Sequence, residues 1–226
     1  MSPRLAPPAV ACHYALITPV IKAGNPIMSS GYNRKDRFYH QAKSAGYRSR
    51  AAYKLIEIDQ KYGLLKPGAK VLDLGSWPGG WVQVAAERVG PAGLVVGIDL
   101  VQVEEVGYDN VHLLTGDARD ESFIATVLAK AGGPFDVVIS DMSPKLTGIK
   151  EADQAGTVAC AELALWLTGQ VVRPGGSFVA KVFKGGDTDA FVKAARPLFN
   201  KLARVELDST RKTSNEFYVI GLGLKG

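Results

Sequence analysis

Two charged residues stand where packing alone would put apolar ones. Lys181 interrupts Ser177-Phe178-Val179-Ala180-Lys181-Val182-Phe183, an apolar run of strand character, and a lysine is rarely fully buried without a partner. Asp141 ends a second such run, Val137-Val138-Ile139-Ser140-Asp141, and is followed by Met142-Ser143-Pro144. If the two runs are neighbouring strands, both groups emerge at the same carboxyl edge. A lysine and a carboxylate there can orient a hydroxyl and handle its proton; the plainer alternative is a buried ion pair that serves structure only.

A second constellation suits a ligand. Val71-Leu72-Asp73-Leu74-Gly75-Ser76-Trp77-Pro78-Gly79-Gly80-Trp81 reads as a buried strand entering a glycine-rich turn and a helix start. Ligands of open α/β sheets bind at such strand ends. Ser76, Trp77 and Pro78 spoil the G-x-G-x-x-G spacing, which disfavours a pyrophosphate loop and makes a nicotinamide-dependent oxidoreductase a distant reading. Asp99 ends Val95-Val96-Gly97-Ile98-Asp99, where a carboxylate can accept both hydroxyls of an adenosine ribose. Asp117, after a third strand, can accept from an adenine amine, and Asp141 closes the pocket after a fourth. Each aspartate alone is equally explained as a cap or turn residue. Together they suit a ligand with adenosine at one end and positive charge at the other, a description that S-adenosylmethionine meets.

These residues need a frame. The 226 residues are 46% hydrophobic and 22% charged, the make-up of an ordinary globular chain and not of a disordered, collagen-like or repeat protein. Cys12 and Cys160 cannot build a disulfide framework, and neither has a neighbour at metal-ligand spacing; no metal is expected. Strand-like runs at Lys70 to Leu74, Leu94 to Ile98, Val111 to Leu114, Asp136 to Ser140, Ser177 to Phe183, Ala203 to Leu207 and Phe217 to Leu222 alternate with helical patterns at Trp81 to Val89, Glu121 to Lys130, Gln154 to Val172 and Thr188 to Phe199. That alternation predicts a Rossmann-like α/β fold, a mostly parallel seven-stranded sheet with helices on both faces. No helix-length segment separates the last two strands, which permits an antiparallel final strand.

The chain divides into three stretches. Residues 1–27 contain no acid, carry five prolines and are expected to lie outside the fold. Their apolar run is too short to span a bilayer; they are either a targeting segment or, more simply, sequence upstream of a start at Met28. Residues 28–66 form a basic helical arm; from Tyr32 to Lys54, Arg34, Lys35, Arg37, Lys43, Arg48, Arg50 and Lys54 face one acid, Asp36, among Phe38, Tyr39, Tyr47 and Tyr53. Basic residues interleaved with aromatics suit the phosphates and unpaired bases of a nucleic acid, although a solvated arm reads similarly. Arg34, Lys35, Arg37, Arg48 and Arg50 are the candidate phosphate contacts. Residues 67–226 carry the α/β pattern, and 28–226 is expected to be one structural domain.

Together these motifs resemble the FtsJ-type ribosomal RNA 2′-O-ribose methyltransferases. The resemblance runs from about Tyr32 to the C-terminus through Tyr47-Arg48-Ser49-Arg50-Ala51-Ala52-Tyr53-Lys54-Leu55, the Asp73 to Trp81 loop, Ser140-Asp141-Met142-Ser143-Pro144, Pro174 to Phe183 and Ser214-Asn215-Glu216-Phe217-Tyr218. It implies a catalytic Lys-Asp-Lys-Glu set at Lys54, Asp141, Lys181 and Glu216. It also implies S-adenosylmethionine contacts at Gly79, Trp81, Asp99, Asp117 and Asp141; Gly75 and Pro78 of the same loop are further candidate cofactor-binding residues. Without it, Lys54 reads as a solvated helix lysine and Glu216 as an acid on an edge strand. The pair Ser76-Trp77 departs from the family's usual two small residues.

The resemblance further implies methylation of a uridine in 23S-type large-subunit ribosomal RNA, within the ribosome or its large subunit. The expected protein is a cytoplasmic monomer with no membrane partner, or a mitochondrial one if residues 1–27 are a transit peptide. Lys181 would take the 2′-proton or, kept charged, steer the 2′-oxygen as a donor. Rival readings are a transfer RNA 2′-O-methyltransferase and a non-catalytic RNA-binding assembly factor.

Overall fold

The computed structural model describes residues 36–211 and 213–226. The elements run α1 (Arg37–Ser44), α2 (Ala52–Tyr62), β1 (Lys70–Leu74), α3 (Gly80–Val89), β2 (Leu94–Asp99), β3 (Val111–Thr115), α4 (Glu121–Ala131), β4 (Phe135–Ser140), α5 (Lys150–Val171), β5 (Val172–Phe183), α6 (Thr188–Ala195), a 3-10 turn (Arg196–Leu198), β6 (Phe199–Val205) and β7 (Glu216–Leu224). The seven strands form one sheet in the order β3-β2-β1-β4-β5-β7-β6. The first five are parallel, and β7 is antiparallel to both β5 and β6. The expected α/β sheet with an antiparallel last strand is therefore present. β7 is not an edge strand, however: it lies between β5 and β6, so the edge-strand reading of Glu216 is corrected.

Side chains alternate across a strand, and the core divides accordingly. Leu72, Leu74, Val96, Val138 and Phe178 pack on one face with α4, α5 and α6. Val71, Val95, Val137, Ile139, Val179, Tyr218 and Ile220 pack on the other with α2 and α3. Helix α2 buries Ala52, Leu55 and Ile58 there; Gly63, at φ +59°, ends it in the left-handed conformation that glycine adopts without strain.

Several boundaries differ from the sequence reading. β5 begins at Val172 and not Ser177; Pro174-Gly175-Gly176 lies inside it, where its pairing with β4 jumps from Phe135–Val172 to Val137–Ser177. β6 begins at Phe199, and α6 stops at Ala195 because Pro197, lacking an amide hydrogen, follows in the 3-10 turn. Helix α5 starts four residues earlier than expected, at Lys150. Among the described residues no helix is long and apolar enough to cross a membrane, and no acidic, histidine and cysteine cluster could hold a metal ion. Cys160 is buried in α5 and not disulfide-bonded, whereas Cys12 and the whole of residues 1–27 lie outside the described residues.

Candidate active site

The face of the sheet against α2 and α3 assembles the site. Asp141 continues the row Val137, Ile139 one residue beyond β4, and Lys181 follows Val179 on β5, the neighbouring strand. Lys181 pairs directly with Tyr218 across the antiparallel ladder, and Phe183 with Glu216. Tyr218 and Glu216 are two apart and share this face. Lys54 reaches the same place from α2.

All four candidates meet. The Lys181 ammonium donates to the main-chain oxygen of Asp141 at 2.8 Å and lies 3.3 Å from its Oδ1. Lys54 makes an ion pair with Glu216 and stands over the Tyr218 ring, 5.8 Å from its centre. Both lysines are below 10% exposed, so the solvated-lysine reading of Lys54 is corrected: its ammonium is taken up by the Glu216 carboxylate and the Tyr218 ring. Glu216 Oε1 also accepts from the Thr210 hydroxyl at 3.1 Å.

Tyr218, which sequence reasoning did not single out, joins the two ion pairs. Fully buried, its hydroxyl donates to Asp141 Oδ1 at 2.8 Å. Burial pushes its pKa well above the ordinary value, and the Asp141 and Glu216 carboxylates push the same way, so it stays a neutral donor. Burial alone would raise the Asp141 pKa; Lys181, Lys54 and the Tyr218 hydroxyl outweigh it and hold that carboxyl below its ordinary range. The signal in the sequence is its i+2 spacing from Glu216 on a strand.

Two cavities meet at this network. The first, about 380 Å³, is lined by the ends of β1 to β4, including Gly75, Trp77, Asp99, Asp117, Asp141 and Ser143, a size typical of a small-ligand site. The second, about 420 Å³, is lined by Ser143, Gln154, Lys181, Asn215 and Glu216 among others. Asp141 faces the first, Lys181 the second, and Ser143 belongs to both.

The loop after β1 is tightly specified. Gly75 has φ +77°, and a Cβ there would stand 2.6 Å from Met142 Cγ, so only glycine lets the Asp141-Met142 segment approach. Gly79 has φ +110° and precedes α3, whose first amides lack partners within the helix. Asp99 is oriented by two amides, those of Trp77 to Oδ2 and Val101 to Oδ1, both 2.9 Å; each oxygen keeps a lone pair for a ligand.

Asp117 lines the cavity, but Arg119 grips its carboxylate from Nε at 2.9 and 3.0 Å and from a second guanidinium nitrogen; that hydrogen bonding lowers its pKa. An adenine amine would share this carboxylate with Arg119. Beneath the cavity Asp73 is 1% exposed and neither oxygen has a partner; the Ser76 hydroxyl is also buried and unpaired. Burial, then the nearby Asp141 and Asp99, drive the Asp73 pKa well above its ordinary value.

Some expected contacts fall elsewhere. The Trp81 ring is buried, 5.9 Å from the Tyr218 ring, and donates to the Ala51 carbonyl at 2.8 Å; only the main chain of Trp81, at the start of α3, remains for a ligand. Pro78 contributes a carbonyl to Arg48. Arg48 is not presented to a phosphate: its guanidinium donates to the carbonyls of Pro78, Glu104 (2.6 Å) and Glu105. Arg50 is turned inward too, paired with Asp36 at 3.1 Å and donating to the Ser209 carbonyl at 2.5 Å. These arginines neighbour the buried start of α2, where carbonyls and a carboxylate need donors. Arg37 is exposed over the Phe38 ring. Arg34 and Lys35 lie outside the described residues.

The chain is similar to known proteins. The model of the FtsJ-like methyltransferase family matches residues 47–224. The chain is 45% identical over 194 residues to ribosomal RNA large subunit methyltransferase E of Syntrophobacter fumaroxidans, covering 86% of this chain and 98% of that protein. It is 41% identical over 197 residues to the protein of the same name from Myxococcus xanthus, covering 87% and 92%. A crystal structure from Plasmodium falciparum described as a ribosomal RNA methyltransferase superposes with a TM-score of 0.70 at 26% identity, covering 80% of this chain and all of that one. A family model matching residues 47–224 and relatives above 40% identity over most of the chain show that the chain belongs to the FtsJ-like methyltransferase family.

Proposed function

We propose that this protein transfers a methyl group from S-adenosylmethionine to a ribose 2′-hydroxyl of large-subunit ribosomal RNA, at a uridine, in the cytoplasmic large subunit or ribosome. The observation that carries the reading is the shared wall between the two cavities. Asp141 lines one, Lys181 the other, and the two side chains are 3.3 Å apart. The names of the relatives support a ribosomal RNA substrate, and the FtsJ-type motifs support the 2′-oxygen and the uridine.

The first cavity fits the cofactor's chemistry. Asp99, Asp117 and Asp141 line it and Asp73 is buried one residue before Leu74 of its wall, an acceptor set for a cationic ligand carrying hydroxyls. Asp73 and Ser76, unpaired and buried, fit a group that brings its own donors. When bound there, S-adenosylmethionine supplies an electrophilic methyl on a sulfonium. Asp99 would hold the ribose hydroxyls, the α3 amides the carboxylate end, and Asp141 the positive charge.

The residues of the second cavity act on the acceptor. Lys181, anchored by two acceptors of Asp141, retains an N–H direction for the 2′-oxygen and fixes it for in-line attack; such positioning supplies much of the rate. Lys181 would hold the 2′-oxygen toward the methyl group that the cofactor would supply, the oxygen gaining the methyl as its proton is released past the Lys181 side chain to solvent. Glu216, held by Lys54, is placed to accept from a ribose hydroxyl. Tyr218 fixes Asp141 from below.

The test is transfer of radiolabelled methyl from S-adenosylmethionine into purified large subunits, free ribosomal RNA and bulk transfer RNA. Label in the subunits or their RNA is expected. Label confined to transfer RNA would overturn the substrate, and cofactor binding with no transfer to any of them would point to a non-catalytic RNA-binding factor.

A further inference from the structure

Trp77 stands apart from the other two tryptophans. Trp81 and Trp166 are no more than 5% exposed, whereas Trp77 is 60% exposed, on the rim of the first cavity. Two further exposed apolar side chains, Leu100 and Val101, each 47% exposed, line the same cavity. Among the described residues these make up three of the six large apolar side chains left open to solvent. Apolar groups gathered at one cavity mark a surface that a ligand covers.

The backbone fixes what they would cover. The Trp77 and Val101 amides hold the two oxygens of Asp99, one each, and both residues line the same cavity as that carboxylate, which is placed to accept ribose hydroxyls. The part of a nucleoside next to its ribose is its flat base. An indole can cover such a surface edge-on or stacked, at small entropic cost because it has only two side-chain torsions. We propose that Trp77 is a positioning residue that closes over the adenosine of the cofactor, converting an open rim into a covered site. This rests on the reading of the first cavity as the S-adenosylmethionine site.

The exposed indole reports on itself. With the product S-adenosylhomocysteine as probe, titration of the wild type should shift the tryptophan emission and lower its quenching by acrylamide, because the other two indoles are already shielded. Calorimetry on Trp77→Ala should show binding of the probe weakened about fivefold to tenfold, with Trp77→Phe much closer to wild type, and circular dichroism should report a folded protein for both. In turnover the loss should fall on the KM for S-adenosylmethionine more than on kcat. Unchanged quenching together with unchanged affinity of the alanine variant, while the wild type binds the probe, would overturn the cover and leave the cofactor site standing. Absence of binding to the wild type would overturn both. Shielding of the indole by an RNA oligonucleotide but not by the probe would assign Trp77 to RNA instead.

Discussion

At the scale of single residues the site is a problem of buried charge. Two ammonium groups and two carboxylates share a largely buried space. Removing one member of such a set leaves an opposite charge uncompensated. Tyr218 is the neutral link, and its removal tests the link without changing any charge. Tyr218→Phe takes one donor from an ionised Asp141; a hydrogen bond to a charged group is worth about 1.5–3 kcal/mol, so turnover should fall by roughly tenfold to a hundredfold. Steady-state kinetics at saturating cofactor would check this, and full activity would remove Tyr218 from the network. Asp73 gives a prediction of different sign. Its carboxyl has a folded pKa above the unfolded 3.8, so its contribution to stability is fully present below pH 3.8 and is lost as pH rises toward the folded value. Asp73→Asn abolishes that loss. The cofactor-free variant should therefore match the wild type in relative stability at low pH and gain on it progressively above pH 4, while binding S-adenosylmethionine more weakly. Thermal unfolding across pH, with and without cofactor, would show whether the gain and the loss accompany each other.

At the scale of elements, what places the site is the pleat of β4, β5 and β7 and the anchoring of the arm. Lys181 and Asp141 were legible because they break apolar runs, and period-two alternation then puts them on one face. Their proximity also required β4 and β5 to be neighbours, which the sheet order supplies. The position of β7 between β5 and β6 was not legible, because alternation in one strand says nothing of which strands flank it; Glu216 therefore read as an edge acid. Arg48 and Arg50 misled for a related reason. A basic run shows charge but not the carbonyls that folding brings to it, and here the loop after β1 and the segment after β2 present Pro78, Glu104 and Glu105 to Arg48. The arm is stitched to the cofactor loop by more than this residue. Arg48 N and Gly46 O bond the Gln83 side chain, Trp81 donates to Ala51, and a Cβ on Gly80 would collide with Ser49 Oγ at 2.4 Å. Arg48→Ala should thus cost about 1–3 kcal/mol of stability and raise the KM for S-adenosylmethionine, because the glycine loop loses its clamp. Denaturant unfolding and cofactor titration would measure both; an effect on RNA affinity alone, with neither of these, would return Arg48 to the phosphate backbone.

At the scale of the whole molecule, the parallel strands deliver one cavity at their carboxyl ends and the antiparallel β7 walls a second. The helices α2 and α3 roof the face where the two meet. On the proposed reading the RNA approaches the second cavity, and the arm carries positive charge toward it. With Arg48 and Arg50 facing inward, the arm residues left for phosphate are Arg37 and, outside the described residues, Arg34 and Lys35. Each phosphate contact with single-stranded RNA contributes about 0.7 to the slope of log affinity against log salt. Neutralising all three should flatten that slope by about 2 and weaken binding across unrelated RNA sequences. Filter binding over a range of salt would test it, and an unchanged slope would remove this part of the arm from the interface.

The central claim is that methyl transfer takes place at the wall between the two cavities, on a ribose oxygen steered by Lys181. The most direct measurement is single-turnover transfer of labelled methyl to large ribosomal subunits by wild type and by Lys181→Met, with the labelled atom then located by digestion to nucleosides and mass spectrometry. Label on a ribose 2′-oxygen with the wild type, and a rate at least ~10²-fold lower with the variant while cofactor binding persists, is the predicted result. Label on a base, or comparable rates from the two proteins, would contradict it.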